Sequence, residues 1–517
     1  MNKSSIKKIV ILGGGTAGWM TAAALSRFVK SETTEIVLVE SAAIGTVGVG
    51  EATIPHIRVF NDMLGIDENE FMRRTHATYK LGIRFEGWGG ESSDYFHPFG
   101  DHGFPIKGIP FHHYWLRARQ QAEVEAFDRY SLANVMAAGE RFIYPSAKQD
   151  SVESTFSYAY HLDAGAYAVF LRDYSEARGV QRVEGEVVSV KLNQDSGFIE
   201  SLNLGNGEII EGGFFIDCSG FRARLLGQEL KVPFTSWNRW LPCDRAYAMP
   251  SELIAAIRPY TRSSAKSAGW CWQIPLQHRV GNGHVFCSSF CSDQQAVDTL
   301  LAHVQGKPLA DPRRIDFEAG MRHRAWEKNC VAIGLASGFL EPLESTSIYL
   351  IQVGIYKLLE LLPISSDFEL DAKEFNRMVA DEYEKIRDFI ILHYHLNNRT
   401  EGFWQQTANM SVPDSLQHKM QVFKESAVVV EYDAGLFMPP SWLAVYFGQG
   451  FFPERTDSRV QQIPPQELLP LIQKIPNHLR SLVEKMPSHM AALQKLSAGE
   501  RAANYVKPRM SLYGGAL

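Results

Sequence analysis

Residues 9–18 read Ile-Val-Ile-Leu-Gly-Gly-Gly-Thr-Ala-Gly, and this stretch limits the fold more tightly than any other. Four apolar residues without alternation suit a parallel strand buried on both faces. Gly13, Gly15 and Gly18 then supply G-x-G-x-x-G, followed by helical spacing over about 19–28 and a second strand at Glu35–Glu40. Each glycine has a mechanical task in that setting. Gly13 permits the tight turn, Gly15 a close backbone approach to pyrophosphate, and Gly18 the contact of helix with strand. Glu40, ending the second strand, is placed to accept from a ribose hydroxyl. An ordinary glycine-rich turn has the same outline, but the strand–turn–helix–strand setting favours a dinucleotide site. The fingerprint alone does not separate FAD from NAD.

A chain of 517 residues can bury a large core and is expected to form two closely packed parts. The net charge of −6 carries no basic footprint, which argues against nucleic acid as a partner. Six cysteines in this length do not form a disulfide framework. Cys287 and Cys291 are the only close pair, with no second pair at metal-ligand spacing, so buried free thiols and a cytoplasmic location are expected. The N-terminus lacks a signal-peptide pattern, and no run reaches ~18 apolar residues, so no membrane span is expected.

Residues 344–347, Glu-Ser-Thr-Ser, place a carboxylate beside small hydroxyls where an apolar helix begins at Ile348. A helix start offers unpaired N–H groups and a positive dipole end, enough to hold a small anion without a basic side chain. A carboxylate beside such an anion pocket suggests a site. Residues 48–55 form a glycine-rich loop able to lie against a bound ring. Residues 78–85 alternate with period two, placing Tyr79, Leu81, Ile83 and Phe85 on one face and Lys80 on the other. That fragment by itself favours a solvated lysine on a half-buried strand. Trp270 and Trp272, two apart, share one side of an extended segment, as core residues or as a wall. Residues 372 to about 397 are amphipathic at helical spacing. His393 and His395 lie near the end, and histidines two apart do not share a helix face, so no metal pair is expected. His112 and His113 read as an ordinary surface or core pair. Pro464, Pro465, Pro470, Pro476 and Pro487 suggest short helices separated by breaks.

The segments 213–220 and 330–338 are strands ending in small-residue turns, and they resemble the second and third dinucleotide-contact strands of the FAD-dependent aromatic hydroxylase superfamily. With residues 48–55, Lys80, Trp-x-Trp-x-Ile-Pro at 270–275 and the run 339–348, the chain resembles the flavin-dependent tryptophan/indole halogenase family over about residues 6–450. The resemblance implies an α/β, Rossmann-like FAD-binding fold of the aromatic hydroxylase type with a largely helical substrate-binding part. The FAD-binding and halogenation module is expected at 1–355, with substrate-facing inserts at about 80–160 and 232–320. A helical part at 356–517 would complete the substrate site. It implies reduced FAD delivered by a separate flavin reductase, with O2 and chloride or bromide as co-substrates. Hypohalous acid then passes through the interior to a lysine that directs it onto an aromatic ring.

Carried over, Lys80 is that lysine and Glu344 its acidic partner, able to take the ring proton. Thr346 and Ser347 hold the halide through backbone N–H groups. Cofactor contacts are implied at Gly13, Gly15, Thr16, Ala17, Gly18, Glu40, Ala52, Val187, Asp217, Leu335 and Ile348. Trp270 and Trp272 separate substrate from flavin, and His97, Phe99 and Trp442 face the substrate. Two departures bear on specificity. Ser347 stands where the family usually has glycine, which narrows the halide pocket or alters its backbone freedom. Trp442-Leu443 stands where one subgroup has paired tyrosines contacting the amino-acid moiety, so an indole-like substrate is expected in preference to free tryptophan. A homodimer is the expected assembly. The rival readings are a flavin-dependent aromatic monooxygenase, which leaves Lys80 and the two tryptophans unexplained, and a flavin-binding regulator without catalysis.

Overall fold

The apolar run at 9–12 becomes the strand Lys8–Leu12, at the heart of a six-stranded sheet. The computed structural model describes residues 6–29, 33–41, 50–253, 257–362, 368–431 and 435–497, so Gly48 and Val49 of the glycine-rich loop lie outside the described residues. The sheet order is Trp326–Glu327, Cys330–Ala332, Phe214–Asp217, Lys8–Leu12, Glu35–Glu40, Gln181–Glu184. All neighbours are parallel except the first pair. The crossover from the first strand to the second is the helix Thr16–Phe28, as its spacing predicts. Leu12 is in register with Asp217, and Asp217 with Ala332. Three chain segments remote in sequence therefore end together on one edge, where doubly wound sheets bind ligands.

The two expected inserts share one structure. Gly82–Glu86, from the first, pairs with Thr261–Lys266 of the second on one side and with Asp94–Pro98 on the other, in a seven-stranded sheet that also contains Gly269–Pro275. Lys80 belongs to a different sheet, formed by Gly50–Ala52, Ala159–Asp163 and Thr78–Lys80. The period-two run at 78–85 is thus broken at Leu81 between two sheets. Both sheets are covered by other elements, so Lys80 is fully buried, contrary to the solvated lysine that its alternation favoured.

Beyond residue 360 the described residues form only helical elements, led by Glu369–His395. The boundary expected at 355/356 falls inside the helix Ser347–Glu360, and one hydrophobic core runs from Ile9 to Leu496. A cut there would split a helix whose buried face packs against both parts. The expected breaks at Pro470 and Pro476 do not occur. Both lie inside the single helix Pro465–Glu484, which Leu468, Ile472, Leu479 and Val483 seat on the core. Proline removes interior hydrogen bonds, but the packed face sustains the helix. The six cysteines are free and buried. Among the described residues no helix is long and apolar enough to cross a membrane.

Candidate active site

The sheet edge opens on a cleft of about 910 Å³. Gly13, Gly15, Thr16, Ala17, Glu40, Ala52, Val187, Leu335 and Ile348 line it, together with Trp270, Trp272, Ser345 and Ser347. Its floor fits a dinucleotide. Gly13 has φ +118°, and a Cβ there would lie 2.3 Å from the Cys218 carbonyl oxygen. At Gly18 a Cβ would meet the Gly13 carbonyl oxygen at 1.8 Å, so this glycine secures helix–strand packing, as expected, without lining the cleft. Glu40 reaches the cleft while accepting hydrogen bonds from Arg182 and, at 3.3 Å, from Trp19. Asp217 has a different role from the expected contact. Its buried carboxylate accepts from the backbone N–H groups of Ser219, Leu225 and Leu226, so it ties down the turn whose residues Cys218–Gly220 line the cleft.

At the far side of the cleft the chain turns through Pro342–Glu344, passes Ser345 at φ +60°, and enters the helix Ser347–Glu360 with Thr346 as its N-cap. The first N–H groups of this helix start without intrahelical acceptors, and Ser347 presents that end to the cleft. Thr346 is fully buried behind it. Its hydroxyl forms no hydrogen bond.

Lys80 does not line the cleft; Ser345 stands between. The lysine Nζ donates to the Ser345 hydroxyl at 2.7 Å and to the Thr53 carbonyl oxygen at 2.9 Å. Phe99 packs with its ring centre 5.0 Å from Nζ. Burial pushes the amine down to about 7, against the upward pull of Glu344. The expected Lys80–Glu344 pairing is therefore indirect. Lys80 reaches Ser345 instead, and the carboxylate is hydrogen-bonded to His97 with His393 close to its other oxygen.

Glu344 Oε2 accepts from His97 Nδ1 at 2.8 Å, and Oε1 lies 2.7 Å from His393 Nε2. Burial alone would raise this carboxyl, but His97 and His393 hold it at about 2. His393 lies near the end of Glu369–His395, where the sequence shows only a histidine pair unsuited to a metal. A single histidine reaching a carboxylate 49 positions earlier leaves no spacing signal. Its neighbour Tyr394 donates at 2.5 Å to Glu341, which also accepts from Trp270 Nε1 at 3.1 Å. Burial raises Glu341 to about 7 despite those two donors. Glu341 too was missed; it fixes the indole of Trp270, whose ring lies 6.0 Å from that of Trp272 in the cleft wall.

On the opposite side of Glu344, His97 packs near Phe389 and Phe437, with ring centres 5.7 and 6.1 Å away. Trp442 packs on Phe389 at 5.1 Å and donates its Nε1–H to the Phe437 carbonyl. His97 and Trp442 thus belong to one aromatic cluster, and Phe99 lies at Lys80. Two regions adjoin: a dinucleotide-sized cleft ending in a helix start, and an aromatic cluster packed at a buried lysine and carboxylate.

A sequence profile of the tryptophan halogenase family matches residues 8–465. Tryptophan 6-halogenase SttH of Streptomyces toxytricini is 39% identical over 87% of this chain and 90% of its own. Two solved structures superpose with TM-scores of 0.92. They are BrvH, a flavin-dependent halogenase from Brevundimonas sp. BAL3 at 47% identity, and Xcc4156, a flavin-dependent halogenase from Xanthomonas campestris at 44%. Each covers 95% of this chain and 99% of the other. The match extends through both regions and gives the monooxygenase reading no support. The chain belongs to the tryptophan halogenase family and is a flavin-dependent halogenase.

Proposed function

We propose that this halogenase is a two-component enzyme that accepts reduced FAD from a separate reductase and halogenates an indole-type ring, with Lys80 as the relay. The observation that carries the reading is the position of Lys80: buried, one hydroxyl away from the cleft, on the aromatic-cluster side of Ser345. Reduced FAD, held along Gly13–Ala17, would supply two of the four electrons that reduce O2, and the halide, oxidised to hypohalous acid, the other two. The protein's own contribution is placement. Ser347 and the helix start it heads attract the halide anion to the cleft's inner end. Trp270, fixed by Glu341, and Trp272 keep the aromatic substrate out of the cleft.

Hypohalous acid reaching Lys80 meets an amine shielded from water, where polarisation or capture of the oxidant is strongest. Glu344, ionised, stabilises the positive charge that develops on an attacked ring and accepts the ring proton. His97, Phe99 and Trp442 form the surface on which the ring lies. Trp442-Leu443 offers no hydroxyl pair to a zwitterion, which supports an indole without a required amino-acid group. The test is mass spectrometry of indole incubated with enzyme, FAD, a flavin reductase, NADH and bromide or chloride. Halogen isotope patterns in the product, absent with Lys80→Ala, are expected. A product gaining oxygen without halide overturns the reading.

A further inference from the structure

Glu344 is a fully buried carboxylate that needs a positive partner, and the obvious one, Lys80, directs hydrogen bonds to Thr53 and Ser345 and forms no ion pair with it. His393 is differently placed. Its Nδ1 lies 2.8 Å from the Phe389 carbonyl oxygen, which can only accept, so Nδ1 carries a proton. Its Nε2 lies 2.7 Å from Glu344 Oε1 with both side chains at most 1% exposed. The approach is off the N–H axis, so it is an ion-pair contact more than a linear hydrogen bond. Two lone-pair-bearing atoms cannot rest at that distance away from water; a proton on Nε2 makes the contact attractive. Protons on both ring nitrogens would make His393 an imidazolium. Its ring lies among Phe85, Trp88 and Phe389, with centres 4.9, 6.1 and 5.0 Å away, and aromatic rings tolerate a cation. His97 donates through Nδ1 alone and needs no charge to do so.

We propose that His393, in place of Lys80, is the counter-ion of Glu344, and that this pairing leaves the Lys80 amine uncharged and able to take up halogen. The inference rests on the relay reading of Lys80. In that step an N–halogen bond forms as the oxygen–halogen bond of hypohalous acid breaks. The hydroxide leaves with an amine proton as water, and the halogen keeps its oxidation state. His393 is thus a positioning residue acting through charge. The other titratable groups around the pair are His97 and Tyr95 on Asp94–Pro98, His161 beside Lys80, Glu341 on the adjoining turn, and His489.

The test reads protonation directly. In wild-type enzyme with labelled histidine, nitrogen NMR is expected to give both His393 ring nitrogens in the imidazolium range at neutral pH; a neutral ring overturns the proposal. With 13C-labelled lysine, and Lys80→Met to assign the resonance, Lys80 is expected to titrate about one pH unit or more higher in His393→Asn. Adding Glu344→Gln is expected to cancel that rise. His393→Gln repeats the measurement with a longer amide, and FAD binding checks that each variant is folded. Superimposable Lys80 titrations in wild type and His393→Asn overturn the proposal. If indole is not halogenated while His393 is cationic, the substrate reading fails and the pairing stands.

Discussion

Lys80→Met isolates the cost of placing an amine where Lys80 sits. Moving its proton affinity from 10.5 to about 7 corresponds to about 5 kcal/mol, at about 1.36 kcal/mol per pH unit. Between pH 7 and 10.5 the unfolded chain holds a proton on this amine that the folded chain lacks, so stability rises with pH across that window. Below pH 7 both states are protonated and the whole cost is present. Methionine removes it but leaves the Thr53 carbonyl and Ser345 hydroxyl without their donor, worth about 1–3 kcal/mol in the other direction. Lys80→Met is therefore expected to be more stable than wild type by about 2–4 kcal/mol at pH 7 while losing halogenation. From pH 7 to 9 the wild type should gain about 2.3 kcal/mol on the variant. Urea unfolding followed by tryptophan fluorescence at pH 7, 8 and 9 measures this. Parallel stability profiles for the two proteins would refute the argument that burial neutralises the amine.

Gly13→Ala puts a Cβ 2.3 Å from the Cys218 carbonyl oxygen at φ +118°, so FAD affinity by fluorescence titration should fall at least about 100-fold. Ser347→Gly restores backbone freedom at the helix start, and the halide KM should fall several-fold with little change in FAD affinity; an unchanged KM removes Ser347 from the halide site. Trp270→Phe deletes the Nε1–H donor to Glu341, costing about 1 kcal/mol. Because that bond lowers Glu341, its loss should carry the protonated-carboxyl infrared band to higher pH.

Local signals were strong enough to read the cofactor side from the sequence. The apolar run at 9–12, the glycine spacing and the strands near 214 and 330 assemble as their patterns predict, because each encodes its own backbone and burial. The two tryptophans line the cleft together because residues two apart on a strand share a face. Contacts between distant elements were not legible. Alternation at 78–85 could not reveal the break at Leu81, where the chain changes sheets, so the burial of Lys80 was concealed. The partners of Glu344 and Glu341, His393 and Tyr394, come from adjacent positions of a helix about fifty residues on, and their meeting is a property of packing alone. Proline spacing misled at Pro470 and Pro476, where an apolar helix face outweighs two missing hydrogen bonds.

The central claim is that the oxidant forms in the cleft and is used at Lys80. It is tested by measuring halide oxidation and indole halogenation separately in Lys80→Ala. With reduced FAD, O2 and bromide, a diffusible trap such as monochlorodimedone should capture oxidant from the variant at close to the wild-type rate, while haloindole falls to the level of free hypobromous acid in solution. Haloindole formed at the wild-type rate and with wild-type regioselectivity, or a variant unable to oxidise bromide at all, would contradict it.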